Sequence, residues 1–147
     1  VLAPVKVGEL LGDIQKLFPS SKVRYIYKVE DECRKLMIDR SQMEQVLINL
    51  LKNASEACEE SPNPEVVVET TYQEEKYIFQ LSVTDNGCGI LPDVLDRIFI
   101  PFFTTKSTGS GIGLSLCKQI VTMHGGSIRV TSEIGKGSCF VVKMVVK

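Results

Sequence analysis

The sequence predicts an α+β two-layer sandwich, a sheet carrying its helices on one face. Three observations lead there. Apolar residues recur at helical spacing in three long segments and alternate in six shorter ones. The order is helix, two strands, helix, two strands, loop, helix, two strands, and helices that must cover a sheet close most simply in two layers. The 147 residues are 44% hydrophobic and 24% charged, enough for one domain with one core.

Each element has its own signal. Val7, Leu10, Leu11, Ile14 and Leu17 repeat at helical spacing within 5–18, and Pro19 ends the run. Val23, Tyr25, Tyr27 and Val29 alternate as a strand, and Leu36-Met37-Ile38 is a short second one. Asp39 or Ser41 then caps a long helix that reaches about Glu60. After the break at Pro62-Asn63-Pro64, strands over 66–72 and 77–84 flank the charged turn 73–76, the pattern of an antiparallel pair. A glycine-rich turn, Asp85 to Ile90, precedes a short helix near 93–97, and 99–113 reads as a loop. A helix over about 112–123 closes at Gly125-Gly126. Strands over 127–132 and 138–145 finish the chain around a turn at Gly135-Lys136-Gly137.

Composition excludes several classes. The net charge is -1 and no basic stripe appears, so nothing points to nucleic acid or an anionic membrane. No apolar run approaches the ~20 residues of a membrane span, and the N-terminus lacks a signal-peptide layout. It begins abruptly without Met, as an excised domain would. The five cysteines form no CxxC pair and are odd in number, which predicts reduced thiols in the cytoplasm, mostly small core fillers. Cys88, between two glycines, is the exception and a candidate thiol-sensitive position.

Three segments carry chemistry. On the long helix, Met43, Leu47, Leu50, Ala54 and Cys58 form an apolar stripe, with Gln45, Asn49, Lys52, Asn53 and Glu56 opposite. Asn49 and Asn53 point the same way, four residues apart. They fit a solvated helix face; a carboxamide oxygen also suits Mg²⁺ already carrying phosphates. In the second segment, Asp85-Asn86-Gly87-Cys88-Gly89-Ile90 puts an acceptor-only carboxylate at a strand end. It reads either as a tight turn or as an acceptor for the exocyclic amine of adenine, with Gly87 and Gly89 admitting a flat base. The third runs from Phe99, with Phe102 and Phe103, through Lys106 to Gly109-Ser110-Gly111-Ile112-Gly113-Leu114. Such glycines at a helix start can offer backbone N–H groups to phosphates. The spacing is neither that of the Walker loop nor that of dinucleotide folds.

Taken in this order, the segments resemble the histidine kinase catalytic domain, grouped with Hsp90, gyrase and MutL in the Bergerat-type ATPases. The four boxes look like N (Gln45 to Ala57), G1 (Asp85 to Ile90), F (Phe99 to Phe103) and G2 (Gly109 to Leu114). The tail Met123-His124-Gly125-Gly126-Ser127-Ile128, with Ser132-Glu133 and 135–140, is similar to the family's closing strands. The resemblance implies a mixed, mostly antiparallel sheet with an ATP lid, and ATP with Mg²⁺ as cofactors. It implies Asn53 as the Mg²⁺ ligand supported by Asn49, and Asp85 as the adenine reader. Gly87, Gly89, Ile90 and Phe99 would line the base side, and Gly109, Gly111, Ile112, Gly113 and Leu114 the phosphate side. Lys106 either neutralises the terminal phosphates or is an exposed lid lysine. Ser138 stands where the family usually has Thr near the base, a place for an ordered water.

Two positions depart from the family pattern: Ile100 replaces an acid before the F-box Pro, and Glu56 replaces a cation three residues after the metal Asn. The acceptor histidine of the family lies on a separate dimerising hairpin, expected to be absent here, and a response regulator acts downstream. The lone His124, at a helix end, is expected to be structural. ATPase relatives carry Glu where this chain has Asn49, so slow hydrolysis and transfer to a protein are expected. The expected product is a single catalytic domain over 1–147, monomeric in isolation, its parent possibly membrane-anchored. Rival readings are an anti-sigma serine kinase, a GHKL ATPase, a nucleotide-sensing module and a pure interaction domain.

Overall fold

The structure, a computed structural model, describes residues 1–100 and 113–145. Alternation along the strands decides the layers. In β4 (Glu65–Gln73), β5 (Ile78–Asp85) and β7 (Gly137–Val145), every second side chain is buried: Val66, Val68 and Thr70; Phe79, Leu81, Val83 and Asp85; Ser138, Phe140, Val142 and Met144. A strand's side chains point alternately to opposite faces, so these define one covered face.

Among the described residues, β2 (Arg24–Val29), β4, β5, β7 and β6 (Ser127–Glu133) lie side by side in that order. β2 runs parallel to β4 and the other pairs are antiparallel. The expected mixed, mostly antiparallel sheet with helices on one face is what the chain forms. α1 (Val7–Leu17), α2 (Arg40–Cys58) and α4 (Gly113–Met123) supply the covering layer. The α2 stripe of Met43, Leu47, Leu50, Ala54 and Cys58 is fully buried, as its spacing predicts. Asp39 rather than Ser41 caps α2, its carboxylate accepting from the Gln42 N–H at 3.1 Å.

Element ends shift by a residue or two from the sequence reading, and two helices show the physical causes. The first helix starts at Val7, because Ala3–Lys6 is a strand, β1, paired antiparallel with β3 (Lys35–Ile38). Val5 fits the helical repeat, but its amide partners lie some thirty residues away, which local periodicity cannot register. The short helix α3 spans only Pro92–Leu95, started by proline at its first turn. α4 closes as expected: the Gly126 N–H donates to the Val121 carbonyl at 2.9 Å and the Gly125 N–H to that of Thr122, with Gly125 left-handed at φ +75°.

His124 closes this joint. Its Nδ1 donates to the Ile120 carbonyl at 2.9 Å, and its Nε2 accepts from the Asp39 N–H at 3.1 Å. That pairing requires the Nδ1–H tautomer and ties the end of α4 to the cap of α2. His124→Ala is expected to destabilise the fold by about 1–3 kcal/mol, because it strands a backbone donor. Urea unfolding should show a lower midpoint at unchanged slope; an unchanged midpoint would make the joint dispensable.

The cysteine expectation holds in part. Cys58 and Cys117 are buried free thiols, and burial pushes Cys117 up to about 12. Cys33 and Cys88 are exposed, and Cys139 is half-buried against the Thr84 hydroxyl. Cys33 sits in the turn between β2 and β3 and fills no core. No helix among the described residues is long and apolar enough to cross a membrane.

Candidate functional site

Alternation should put apolar residues at core-facing positions, and among the described residues three buried ones are polar: Thr70, Asp85 and Ser138. Thr70 is explained locally, since its Oγ1 accepts from the Glu30 N–H at 3.2 Å. Asp85 and Ser138 face each other, paired across β5 and β7 at one end of the sheet.

Asp85 is 4% exposed. Its Oδ1 accepts from the Gly87 N–H at 2.9 Å. Its Oδ2 is buried with no hydrogen-bond partner among the described residues. Native structures seldom tolerate this, so the atom calls for a functional account. Burial pushes the carboxyl above its ordinary 3.8, while the Gly87 and Ser138 amides pull the other way. A carboxylate oxygen only accepts, so what completes this site must donate.

The loop after Asp85 is pressed onto two elements. A Cβ on Gly87 would collide with the Ala57 carbonyl, one turn beyond Asn53 on α2. Gly89, at φ +82°, would place a Cβ 2.5 Å from the Glu133 carbonyl oxygen. The Gly135 N–H donates to the Cys88 carbonyl at 2.9 Å, stapling the loop to the β6–β7 turn. The closest neighbours of both glycines are thus protein backbone, with Asp85 Oδ1 also 2.9 Å from a Cβ at Gly87. The Ile90 N–H donates to the Ser132 Oγ at 2.7 Å, and Ser132 Oγ lies 3.0 Å from Ser138 Oγ. Sequence reasoning missed Ser132 as a site residue. Its signal was the two-residue alternation after Ile128 and Val130, which sets it on the core face opposite Ser138.

Asn49 and Asn53 are half-buried on the face of α2 away from its apolar stripe. Asn49 Nδ2 donates to the Gly113 carbonyl at 3.3 Å, and Gln45 Nε2 donates to Asn49 Oδ1 at 3.0 Å. Asn49 therefore bridges α2 to the first turn of α4, where Leu114 packs against the core. Phe99 meets Phe140 edge-on at 6.3 Å, with Lys118 Nζ 5.7 Å from its ring centre. Ile98 is buried and Ile100 half exposed. Phe99 is thereby anchored under the end of the sheet that carries Ser138. Lys106, Gly109, Gly111 and Ile112 lie outside the described residues.

The arrangement is an orphan acceptor, among the described residues, beneath a helix of carboxamides and beside Phe99 and the first turn of α4. Residues 38–147 match the family described as histidine kinase-, DNA gyrase B- and HSP90-like ATPases, and the chain belongs to that family. Within it, the fold is that of histidine kinase catalytic domains. The chain is 30% identical to the catalytic domain of the histidine kinase ThkA at a TM-score of 0.83, covering 99% of this chain and 95% of that one. A structure of ThkA with the response regulator protein TrrA matches at 0.76 and 28% identity, over 97% of this chain and 41% of that one. Full-length ShkA in complex with AMPPNP matches at 0.85 and 26% identity, over 99% of this chain and 31% of that one. The sensor histidine kinase ZraS of Escherichia coli (strain K12) is 40% identical over 121 residues, 82% of this chain. The chain spans 25% of the length of ZraS, so it corresponds to about a quarter of that curated relative.

Proposed function

We propose that the chain is one catalytic domain that binds Mg²⁺-ATP and offers the γ-phosphate to a histidine on a separate dimerisation hairpin of its parent sensor kinase. The observation that carries the reading is the bare Oδ2 of Asp85. An exocyclic amine on a base ring is the donor it lacks. ShkA, which shares the fold, is seen in complex with AMPPNP. The ThkA complex with TrrA supports a response regulator downstream. We place the domain in the cytoplasm, where Cys58 and Cys117 stay reduced.

Phosphoryl transfer asks a protein for positioning and charge neutralisation more than for covalent help. Asp85 would accept from the base amine. Ser138, held by Ser132, would present a hydroxyl on the same side. Asn53 would offer its carboxamide oxygen to Mg²⁺, a metal that prefers hard oxygen ligands and, when bound, neutralises the phosphates. Asn49 holds the start of α4 through the Gly113 carbonyl. A carboxamide cannot take a proton from water near neutral pH, so Asn49 leaves the helix without the base that hydrolysis would use. Lys106 and the glycines 109, 111 and 113 would face the phosphates. The loss of the family's cation at Glu56 removes one phosphate contact. Histidine transfer is preferred over serine transfer because the relatives are sensor histidine kinases.

Calorimetric titration with ATP, with and without Mg²⁺, tests the site. Asn53→Ala is expected to retain weak ATP binding and to lose its Mg²⁺ dependence. Equal Mg²⁺ dependence in wild type and variant would move the metal elsewhere. Adding a hairpin that carries an acceptor histidine should then yield an acid-labile, base-stable phosphoprotein; acid-stable phosphate would favour a serine kinase.

A further inference from the structure

Burial alone acts against the arrangement at Asp85. A carboxylate with one bare oxygen gains by rotating toward water or by taking up a proton. Its own hydrogen-bond shell holds it through the Gly87 N–H on one oxygen. The backbone before it is fixed by its pairing with Val66 and Ser138. The backbone after it leaves the sheet at Asn86, an exposed residue that core packing cannot hold.

We propose that Asn86 is a positioning residue that aims the Asp85 carboxylate at its ligand. Each hydrogen-bonding group of Asn86 is committed to the short connection between α2 and β4 or to Glu65, the first residue of β4. Its Oδ1 accepts from the Glu65 N–H at 2.9 Å, and its Nδ2 donates to the Asn63 carbonyl at 2.7 Å. Its own N–H donates to the Glu65 carbonyl at 3.3 Å, and its carbonyl accepts from the Ser61 hydroxyl at 3.0 Å. The side chain thus continues the β4–β5 ladder one step past its end, with an amide standing in for a strand residue. Asn suits this in a way Asp does not: one atom must accept and the other must donate. A carboxylate would bring two oxygens to 2.7 Å at Asn63.

The same connection emerges from the end of α2, whose Ala57 carbonyl abuts Gly87. Asn86 therefore links the helix bearing Asn53 to the strand end bearing Asp85. In the sequence it reads as an ordinary turn residue of Asp-Asn-Gly. This inference rests on the reading of Asp85 as the acceptor of the base amine.

The test compares ATP with inosine triphosphate, which has a carbonyl in place of the exocyclic amine. Both are titrated against a fluorescent ATP analogue on the whole chain. Wild type is expected to prefer ATP. Asn86→Ala and Asn86→Asp are each expected to lower ATP affinity about tenfold. Affinity for inosine triphosphate should stay within about twofold, because the lost interaction is the one that aims Asp85 at the amine. Circular dichroism and a urea midpoint identify folded variants. An equal fall for both nucleotides, or failure of both variants to fold, makes Asn86 a scaffold residue and overturns the proposal. Wild type with no preference for ATP removes the base-reading role of Asp85 itself, and a preference unchanged in both variants removes only that of Asn86.

Discussion

Asp85→Asn is expected to weaken ATP binding roughly hundredfold or more while leaving the unliganded fold at least as stable. The substitution preserves size. Its Oδ1 still accepts from the Gly87 N–H, but an amide NH₂ replaces the bare Oδ2 and meets the base amine donor to donor. A charge-assisted hydrogen bond worth about 1.5–3 kcal/mol is lost, and a buried donor is left unpaired at about 1–3 kcal/mol. The stability side follows from linkage. Burial holds the folded carboxyl above its ordinary 3.8. Between the unfolded and the folded value, the native state binds more protons than the unfolded chain, so wild-type stability falls as pH rises through that window. An amide at position 85 does not titrate, so the variant lacks this pH dependence. Calorimetric titration measures the first effect. Urea unfolding at pH 7 and at a pH below 3.8 measures the second, and the advantage of the variant should shrink on acidification. ATP affinity within a few-fold of wild type would remove Asp85 from the site.

Gly137→Ala has the largest expected effect on folding. Gly137 opens β7 at φ +131°, a region that L side chains rarely adopt. A Cβ there would land on the Asp85 carbonyl oxygen, well inside van der Waals contact, and 3.0 Å from the Asn86 Cα. Both obstacles are backbone, one at the end of a paired strand and one just past it, and cannot swing aside. Backbone strain of about 1–3 kcal/mol and overpacking of about 1–3 kcal/mol act together. Against a total stability of roughly 5–15 kcal/mol, the urea midpoint should fall by about 1 M or more. Gly135→Ala is the control, because Gly135 also has a positive φ, +82°, and nothing among the described residues lies within 4 Å of its Cβ. It should cost about 1 kcal/mol. Equal losses at the two positions would mean that conformation, and not the close passage beside Asp85, governs the turn.

Much of the architecture was legible locally. The spacing of Met43, Leu47, Leu50, Ala54 and Cys58 set the buried side of α2, and that placed Asn49 and Asn53 on the opposite face. The sequence placed Asp85 at a strand end, and the structure shows that it continues the buried alternation of Phe79, Leu81 and Val83. Periodicity of this kind reports which way a side chain points, because it follows from the geometry of one element. It does not report what lies opposite. Pairing of Ala3–Lys6 with Lys35–Ile38, and the parallel run of β2 beside β4, depend on contacts far apart in the chain. The same holds at the site. The bridge from Asn49 to Gly113 spans 64 residues, and that from Asp39 to His124 spans 85. Gly87 and Gly89 read as room for a base, and tertiary structure adds that each also passes close to protein backbone, at Ala57 and Glu133. Ser132 and Asn86 looked like ordinary strand and turn residues until register brought Ser138 to one and the 61–65 connection to the other. The sequence by itself determined the layers, the order of elements and the residue types able to do the chemistry, since each is a property of local spacing. Only the tertiary structure decided which of them meet, and that one oxygen of Asp85 has no donor among the described residues, because burial and hydrogen-bond partnership exist only once distant segments have packed.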